Sequence, residues 1–239
     1  MVGGRPFHIT SRLSVHMTGY IGVLNMIRLS KTSKLDGIKS WSLQAVDTCP
    51  AAKDENGNLV AACSGCYATS GNYRYPNVKA PREHNREDWK RSDWTRDMIT
   101  ALSKEKYFRW FDSGDMYSLA LAEKILDVMQ QTPNVKHWIP SRMFKFAKFQ
   151  SIFERMHALN NVAVRFSSDS IQGEHSDNHG STIIPNYQFE TTAKVCHAYK
   201  KENDGKCNGC RDCWDKSIPV IAYVAHGEKI KRNIKKLEG

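Results

Sequence analysis

Seven cysteines, in two separated groups, are the residues of this chain best suited to chemistry. The first group is Cys49, Cys63 and Cys66, and the second is Cys196, Cys207, Cys210 and Cys213. An odd number leaves no complete disulfide pairing, and closely spaced CxxC pairs favour metal binding. Three plus four accounts for every cysteine, so the sequence predicts two metal centres, which we interpret as two [4Fe–4S] clusters.

The two groups predict different kinds of centre. Cys63 and Cys66 form a short CxxC turn that Cys49 can complete, which gives three thiolates and one open coordination position, as catalytic centres have. The CxxCxxC run from Cys207 to Cys213 resembles the ligand spacing of ferredoxin-type clusters, and Cys196 closes that site with a fourth thiolate. Zinc is the alternative for either centre, with a histidine able to act as a fourth ligand in the first.

Short apolar runs that alternate with helical stretches must position these groups. The sequence predicts a long loop over 47–81 because that segment is rich in Gly, Asn, Pro and Cys. Strands are predicted over 40–46, 107–111, 135–139, 162–166, 181–184 and 220–224, and helices over 82–103, 119–130 and 144–159. This alternation predicts an α/β fold, a parallel sheet or partial (β/α) barrel of mostly parallel strands, whose polar strand ends line the site.

Small polar or charged residues follow three successive predicted strands. They are Ser113, Gly114 and Asp115, then Ser141 and Arg142, then Ser167, Ser168 and Asp169. Because the carboxyl ends of parallel strands meet at one edge of a sheet, these residues and the loop that begins at Cys49 are expected to form one active face. The plainer interpretation is that Asp112 and Asp115 are turn or cap residues and that Arg142 is a surface residue.

Four segments carry a resemblance to a known family. They are residues 48–52 (TCPAA), 63–68 (CSGCYA), 111–115 (FDSGD) and 205–215 (GKCNGCRDCWD). Through them the chain resembles, over roughly residues 28–226, the phage-encoded family called gene product eighty-eight. That resemblance implies a phage protein in the host cytoplasm and supplies little mechanism.

More distantly, the chain is similar to radical S-adenosylmethionine (SAM) enzymes, in which a three-cysteine [4Fe–4S] cluster follows the first strand of a partial (β/α) barrel. That similarity implies that SAM is cleaved to a 5′-deoxyadenosyl radical. It also implies that Ser113, Gly114 and Asp115 hold the SAM amino group. The residues that would then bind the carboxylate and ribose of SAM are Ser141, Arg142, Ser167, Ser168 and Asp169. The thirteen residues between Cys49 and Cys63 depart from the family's CxxxCxxC spacing.

Length and composition restrict the class of protein. The chain has 239 residues, 40% of them hydrophobic, which is enough for a substantial core. No apolar run approaches the ~20 residues of a membrane span, and the N-terminus lacks a signal-peptide pattern, so we expect a cytoplasmic protein without membrane contact. We predict a radical-SAM-like partial barrel over 1–190 and, packed on it, a C-terminal auxiliary cluster segment over 191–239.

The net charge of +10 favours a polyanionic partner, although a solvated basic surface is the alternative. The leading hypothesis is therefore a radical-SAM-like enzyme that acts on a nucleotide or nucleic acid and takes electrons from a flavodoxin or ferredoxin. The alternative is a non-catalytic iron–sulfur or zinc protein that binds nucleic acid. Among other residues, His137, Trp89, Trp94 and Trp110 are expected in the core, and His226 follows the last predicted strand.

Overall fold

An eight-stranded, mostly parallel sheet organises the chain in a computed structural model that describes residues 27–176 and 179–238. The strands are β1 (Ser30–Lys31), β2 (Lys39–Trp41), β3 (Tyr107–Trp110), β4 (Lys136–Ser141), β5 (Val162–Ser167), β6 (Gly180–Ile184), β7 (Lys194–Val195) and β8 (Val220–Val224). Their order in the sheet is β1-β2-β3-β4-β5-β6-β8-β7. β1 pairs antiparallel with β2, and the other neighbours pair parallel. The predicted α/β class and mostly parallel sheet are confirmed.

Six helices accompany the sheet within the described residues. They are α1 (Ala61–Ser64), α2 (Pro76–Asp88), α3 (Trp94–Leu102), α4 (Leu119–Gln131), α5 (Gln150–Ala158) and α6 (Glu228–Glu238). The single helix predicted over 82–103 is wrong, because the chain turns between α2 and α3. At that turn Lys124 Nζ donates to the carbonyl oxygens of Trp89 and Arg91, at 2.9 and 2.7 Å, and so satisfies groups that a continuous helix would use internally.

The predicted strand over 40–46 ends early, at Trp41. Leu43 N donates to Ser113 O at 3.0 Å, so this segment bonds to the loop that follows β3 instead of extending the ladder. Residues 1–26, for which the sequence predicts no signal peptide, lie outside the described residues. None of the described helices has the length and apolar character needed to cross a membrane.

The two faces of the sheet differ in chemistry. One face packs against α3, α4 and α5 in the main apolar core, which includes Trp89, Trp94 and Trp110, as predicted. His137 is also buried there; its Nδ1 accepts from Trp110 Nε1 at 3.2 Å and its Nε2 lies 2.9 Å from Thr132 Oγ1, so the predicted core histidine is confirmed.

The strand register places a polar and aromatic row on the opposite face. Arg109 pairs with Trp138, and the alternation of side chains carries the same face on to Arg165 and Tyr223. We call this side, defined by Arg109, Trp138, Arg165 and Tyr223, the polar face.

Segments from both ends of the strand order meet on the polar face. Lys34, in the turn between β1 and β2, places Nζ 5.8 Å from the ring centroid of Tyr223 on β8. Cys207 N donates to the Lys34 carbonyl oxygen at 2.8 Å, and Arg211 forms an ion pair of 2.8 Å with Asp36. The turn after β1 and the C-terminal cysteine segment therefore pack together over this face. β7 and β8 belong to the same sheet as β1–β6, and the division at residue 190 stays a prediction.

Candidate metal centres

The first cysteine group lies at the carboxyl ends of the parallel strands. Cys49 follows β2, Cys63 lies in α1, and Cys66 begins the next turn, with Cys66 N donating to Cys63 O at 3.1 Å. The three thiols lie within electrostatic range of one another. The structure thus brings together the three cysteines that the sequence assigned to one centre, across the thirteen-residue gap.

An ion-pair cluster holds this loop against the strand ends. Asp169, after β5, pairs with Arg142 at 3.2 Å and also with Lys145. The Asp169 carbonyl oxygen accepts from Ala62 N at 2.9 Å, and Lys145 Nζ donates to Ala51 O at 3.2 Å. Both limbs of the cysteine loop therefore bond to charged residues that follow β4 and β5.

The loop that follows β3 also fits closely against the first centre. Gly114 has a φ of +78°, and a Cβ there would lie 2.6 Å from Leu43 Cβ and 2.7 Å from Thr48 Oγ1. Asp115 N donates to Thr48 O at 3.1 Å, one residue before Cys49. Glycine is required here because the chain adopts a left-handed conformation in contact with the cysteine loop.

Burial and neighbouring charge set the chemistry of the three thiols. Burial raises the pKa of Cys49 to about 12, and Asp115, Cys63 and Cys66 add to that rise. Burial also raises the pKa of Cys63, although the charges of Arg142 and Lys145 oppose it. A metal ion or cluster would supply the positive charge that these buried sulfurs need to act as thiolates.

The residues predicted to contact SAM after β3 and β4 are largely engaged with the protein itself. The buried Asp115 carboxylate accepts from Ser141 Oγ at 2.7 Å and from Arg142 N at 2.9 Å. Ser113 Oγ donates to Leu43 O at 2.7 Å and accepts from Arg82 Nε at 2.6 Å. These contacts tie the ends of β2, β3 and β4 to each other.

The predicted residues after β5 are more accessible. Ser167 pairs with Ser181 in the sheet, Ser168 accepts from Ser170 N at 3.0 Å, and the Asp169 side chain is 37% exposed. The Arg142 side chain, whose Nη2 donates to Ser168 O at 2.7 Å, is 20% exposed. The structure therefore brings all eight predicted residues to one edge of the sheet, where Arg142, Ser168 and Asp169 bond to one another yet stay partly accessible.

The second cysteine group surrounds a cavity of about 260 Å³. Cys196, Cys207, Cys210 and Cys213 all line it. Cys196 follows β7, and the other three lie in a loop whose turn at Asn208 and Gly209 has φ values of +47° and +85°. All four cysteines of the second group thus line one cavity, which Cys49, Cys63 and Cys66 do not line, and their role as metal ligands stays a prediction.

Two cations, the buried Arg165 and the half-buried Lys34, support the second group, and sequence reasoning missed both. Arg165, fully buried on β5, donates to the carbonyl oxygens of Asp212, Cys213, Asp215, Ile218 and Pro219. Burial lowers the pKa of Lys34, whereas nearby Cys196, Cys207 and Cys213 raise it. Arg165 fixes the path of the loop, and Lys34 brings a positive charge to the sulfurs.

A row of aromatic rings connects the surroundings of the two groups. Tyr67, next to Cys66, stacks on His226 with ring centroids 5.9 Å apart, and His226 stacks on Tyr199 at 4.0 Å. Tyr199 lies within electrostatic range of Cys196 and Cys207. His226, which the sequence placed after the last strand, thus lies between the two cysteine groups.

The described side chains do not form a ready-made site for one metal ion. Within residues 27–176 and 179–238, no set of three or more His, Cys, Asp or Glu residues is arranged to hold a metal ion. A cluster differs from a single ion because each thiolate binds a separate iron, so its thiolates stand farther apart. The donor set, all thiolate and grouped three and four, suits a cluster of this kind.

Comparisons with known proteins identify a family and leave the activity open. No curated protein and no solved structure matches the chain. The similarity to radical SAM enzymes gains no support from these comparisons. The family model described as Gene product 88 matches residues 24–216, well over half of the chain. The chain therefore belongs to the gene product 88 family, as its cysteine and FDSGD segments predicted.

Proposed function

We propose that this protein is a radical-SAM-like iron–sulfur enzyme with its reactive centre at Cys49, Cys63 and Cys66. The observation that carries the proposal is the position of this three-thiol group at the carboxyl ends of parallel strands, apart from the four-thiol group. In parallel α/β folds that edge of the sheet is where active sites form. The second group, with four thiolates, is the closed centre that relays electrons or stabilises the fold.

Three observations support a partial (β/α) barrel as the scaffold. β2 to β6 neighbour one another in chain order, and α3, α4 and α5 pack on one face. In a flat sheet, β2 and β8 would lie about 24 Å apart, since strands are spaced by about 4.8 Å. Lys34, which precedes β2, nevertheless reaches the Tyr223 ring on β8. A sheet that curls around its polar face accounts for this contact.

The chain's own residues have distinct roles in this proposal. When bound, a three-thiolate cluster supplies an open iron position and an electron for SAM cleavage. Arg142 and Lys145 offset the negative charge of the first group, since their charges lower the pKa of Cys63. Asp115 and Ser141 position the strand ends, while Arg142, Ser168 and Asp169 remain accessible to the cofactor.

Anaerobic purification followed by iron, sulfide and zinc analysis tests the metal assignment. We expect about eight irons per chain, since each of the two clusters holds four. Replacing Cys49, Cys63 and Cys66 together by Ala should remove half of the iron, and replacing Cys207, Cys210 and Cys213 should remove the other half. A colourless protein with stoichiometric zinc would refute the iron–sulfur assignment.

A separate assay tests the SAM chemistry. The reduced, iron-loaded protein is incubated with SAM, and 5′-deoxyadenosine is measured by chromatography. The wild-type protein should form it, and the variant that lacks the first three cysteines should not. Absence of both SAM binding and cleavage in a protein that holds its iron would refute the enzymatic part of the proposal.

A second candidate is a non-catalytic metalloprotein that binds nucleic acid, and the basic helix α6 favours it. Ile230 and Ile234 of α6 are buried against Ala62 of α1, whereas Lys231, Arg232, Lys235 and Lys236 are exposed. Binding through such a face depends steeply on salt because it releases counterions from phosphates. Tight, salt-sensitive nucleic-acid binding without SAM cleavage would favour this candidate.

A further inference from the structure

Arg109 is a half-buried cation on the polar face without a carboxylate partner among the described residues. Its guanidinium carbon lies 4.4 Å from the ring centroid of Trp138, and its Nε has no hydrogen-bond partner within the described part of the chain. Asp112 lies within electrostatic range, but its carboxylate is already bound by Arg82 at 2.9 Å. A cation in this position is costly unless an anion offsets its charge.

Lys34 is a second cation that faces the same region. Its Nζ lies 4.4 Å from the Tyr199 ring centroid, and it too forms no salt bridge with a carboxylate of the described residues. Lys34 Nζ also lies 5.8 Å from the ring centroid of Tyr223, which shares the polar face with Arg109. Two cations therefore border one region of the polar face.

That region lies between the two cysteine groups and is partly open to solvent. The Tyr67 hydroxyl donates to Asp112 O at 2.5 Å and its ring stacks on His226, yet 40% of this residue remains accessible. Arg109 lies near Tyr67, which follows Cys66, and near Tyr223, whose hydroxyl is 3.3 Å from Cys213 Sγ.

We propose that Arg109 and Lys34 bind the anionic group, a phosphate or a carboxylate, of a small-molecule substrate at this region of the polar face. The proposal deepens the proposed function, because it gives the substrate of the first centre a negative charge and a position. The planar guanidinium of Arg109 can donate two parallel hydrogen bonds to either kind of anion, whereas Lys34 acts as a point charge. The bound anion would also offset the positive charge of both cations.

Titration calorimetry on the full-length protein, purified anaerobically with the metal it contains, tests this proposal. The probes are inorganic phosphate, acetate, AMP and adenosine. We expect AMP to bind at least about tenfold more tightly than adenosine, and Arg109→Met or Lys34→Met to weaken anion binding by at least about tenfold. Arg96→Met is the matched control, because Arg96 is 72% exposed and pairs with Asp93 and Asp97; it should bind like the wild type.

The two sources of negative charge give different results. Tighter binding of phosphate and AMP than of acetate assigns a phosphate, and the reverse order assigns a carboxylate. Equal affinity of the wild type and both variants, or no binding of any anion, overturns the proposal. If circular dichroism shows that Arg109→Met does not fold, Arg109→Lys, which keeps the charge and loses the planar fork, and Lys34→Met decide the question.

This test is independent of the metal and of SAM. A zinc-containing or SAM-inactive protein that still binds anions through Arg109 would refute the proposed function and leave the anion site in place. An iron-loaded, SAM-cleaving protein that binds no anion would refute the anion site and leave the proposed function in place.

Discussion

Replacing Gly114 by Ala should destabilise the protein through the contact between the β3 loop and the cysteine loop. The left-handed backbone at φ +78° costs a residue with a Cβ about 1–2 kcal/mol. The new methyl group would also lie 2.6 Å from Leu43 Cβ and 2.7 Å from Thr48 Oγ1, and such overpacking typically costs about 1–3 kcal/mol. The free energy of unfolding should therefore fall by about 2–5 kcal/mol.

Gly57→Ala is the matched control for this prediction. Gly57 has nearly the same φ, +80°, but a Cβ there meets nothing within 4 Å, so only the backbone cost applies. At about 2–4 °C per kcal/mol for a chain of this size, Gly114→Ala should melt about 2–12 °C below Gly57→Ala. Thermal unfolding followed by circular dichroism measures this difference. Equal melting temperatures would refute the close approach of the β3 loop to the cysteine loop.

Three further predictions concern buried polar groups. Asp112→Asn should lower the free energy of unfolding by about 3–5 kcal/mol in urea titrations, because it leaves the buried Arg82 charge without its carboxylate partner. The control is Asp93→Asn at an exposed ion pair, which should cost less than about 1 kcal/mol. An equally small loss for Asp112→Asn would contradict the prediction. Arg165→Met should remove the guanidinium that bonds five carbonyl oxygens of this loop and should halve the iron content while sparing the first centre; full iron content would show that Arg165 does not support the second centre. Burial lowers the pKa of His137 to about 3. As the pH falls below about 6.5, the unfolded chain therefore binds a proton at this histidine that the folded chain does not bind. The free energy of unfolding should fall as the pH drops from about 6.5 towards 3. His137→Gln should weaken that dependence in urea titrations across this pH range, and an unchanged pH profile would contradict it.

The grouping of the cysteines could be predicted because ligand spacing is a local property of a sequence. Cys63 and Cys66 share one turn, and Cys207 to Cys213 share one loop, whatever the rest of the fold does. Cys49 could be assigned to the first group only because it follows the first strand of a parallel sheet, whose carboxyl ends converge. The alternation of strands and helices was sufficient for that step.

The cations of the polar face could not be predicted in the same way. Arg109 lies inside the apolar run YFRWF, where one charged residue is typical of a solvent-facing strand position. Its neighbours Tyr67 and Tyr223 are 42 and 114 residues away in the chain (109−67 and 223−109), so no local pattern connects them. The roles of Arg165 and Lys34 likewise depend on the position of the C-terminal cysteine segment, which tertiary contacts alone determine.

The same reasoning explains why β2 is short and why α2 and α3 are separate. Residues 40–46 alternate as a strand does, yet the Leu43 amide bonds to Ser113 O, because the chain must leave the sheet to deliver Cys49 to the strand ends. Lys124 satisfies the carbonyl groups at the end of α2 from another helix, and no local signal for that contact exists in residues 82–103. In both places a tertiary hydrogen bond outweighs local propensity.

The arrangement of the two cysteine groups places a restriction on any reaction at the first centre. Tyr67 follows Cys66, the Tyr223 hydroxyl lies 3.3 Å from Cys213 Sγ, and Arg109 lies within electrostatic range of both tyrosines. A substrate held by Arg109 would therefore lie close to residues of both cysteine groups, whereas the exposed basic residues of α6 offer a nucleic acid a separate surface. Small anions that compete with SAM-dependent turnover, but not with nucleic-acid binding, would be evidence that the polar face and the α6 surface serve different ligands.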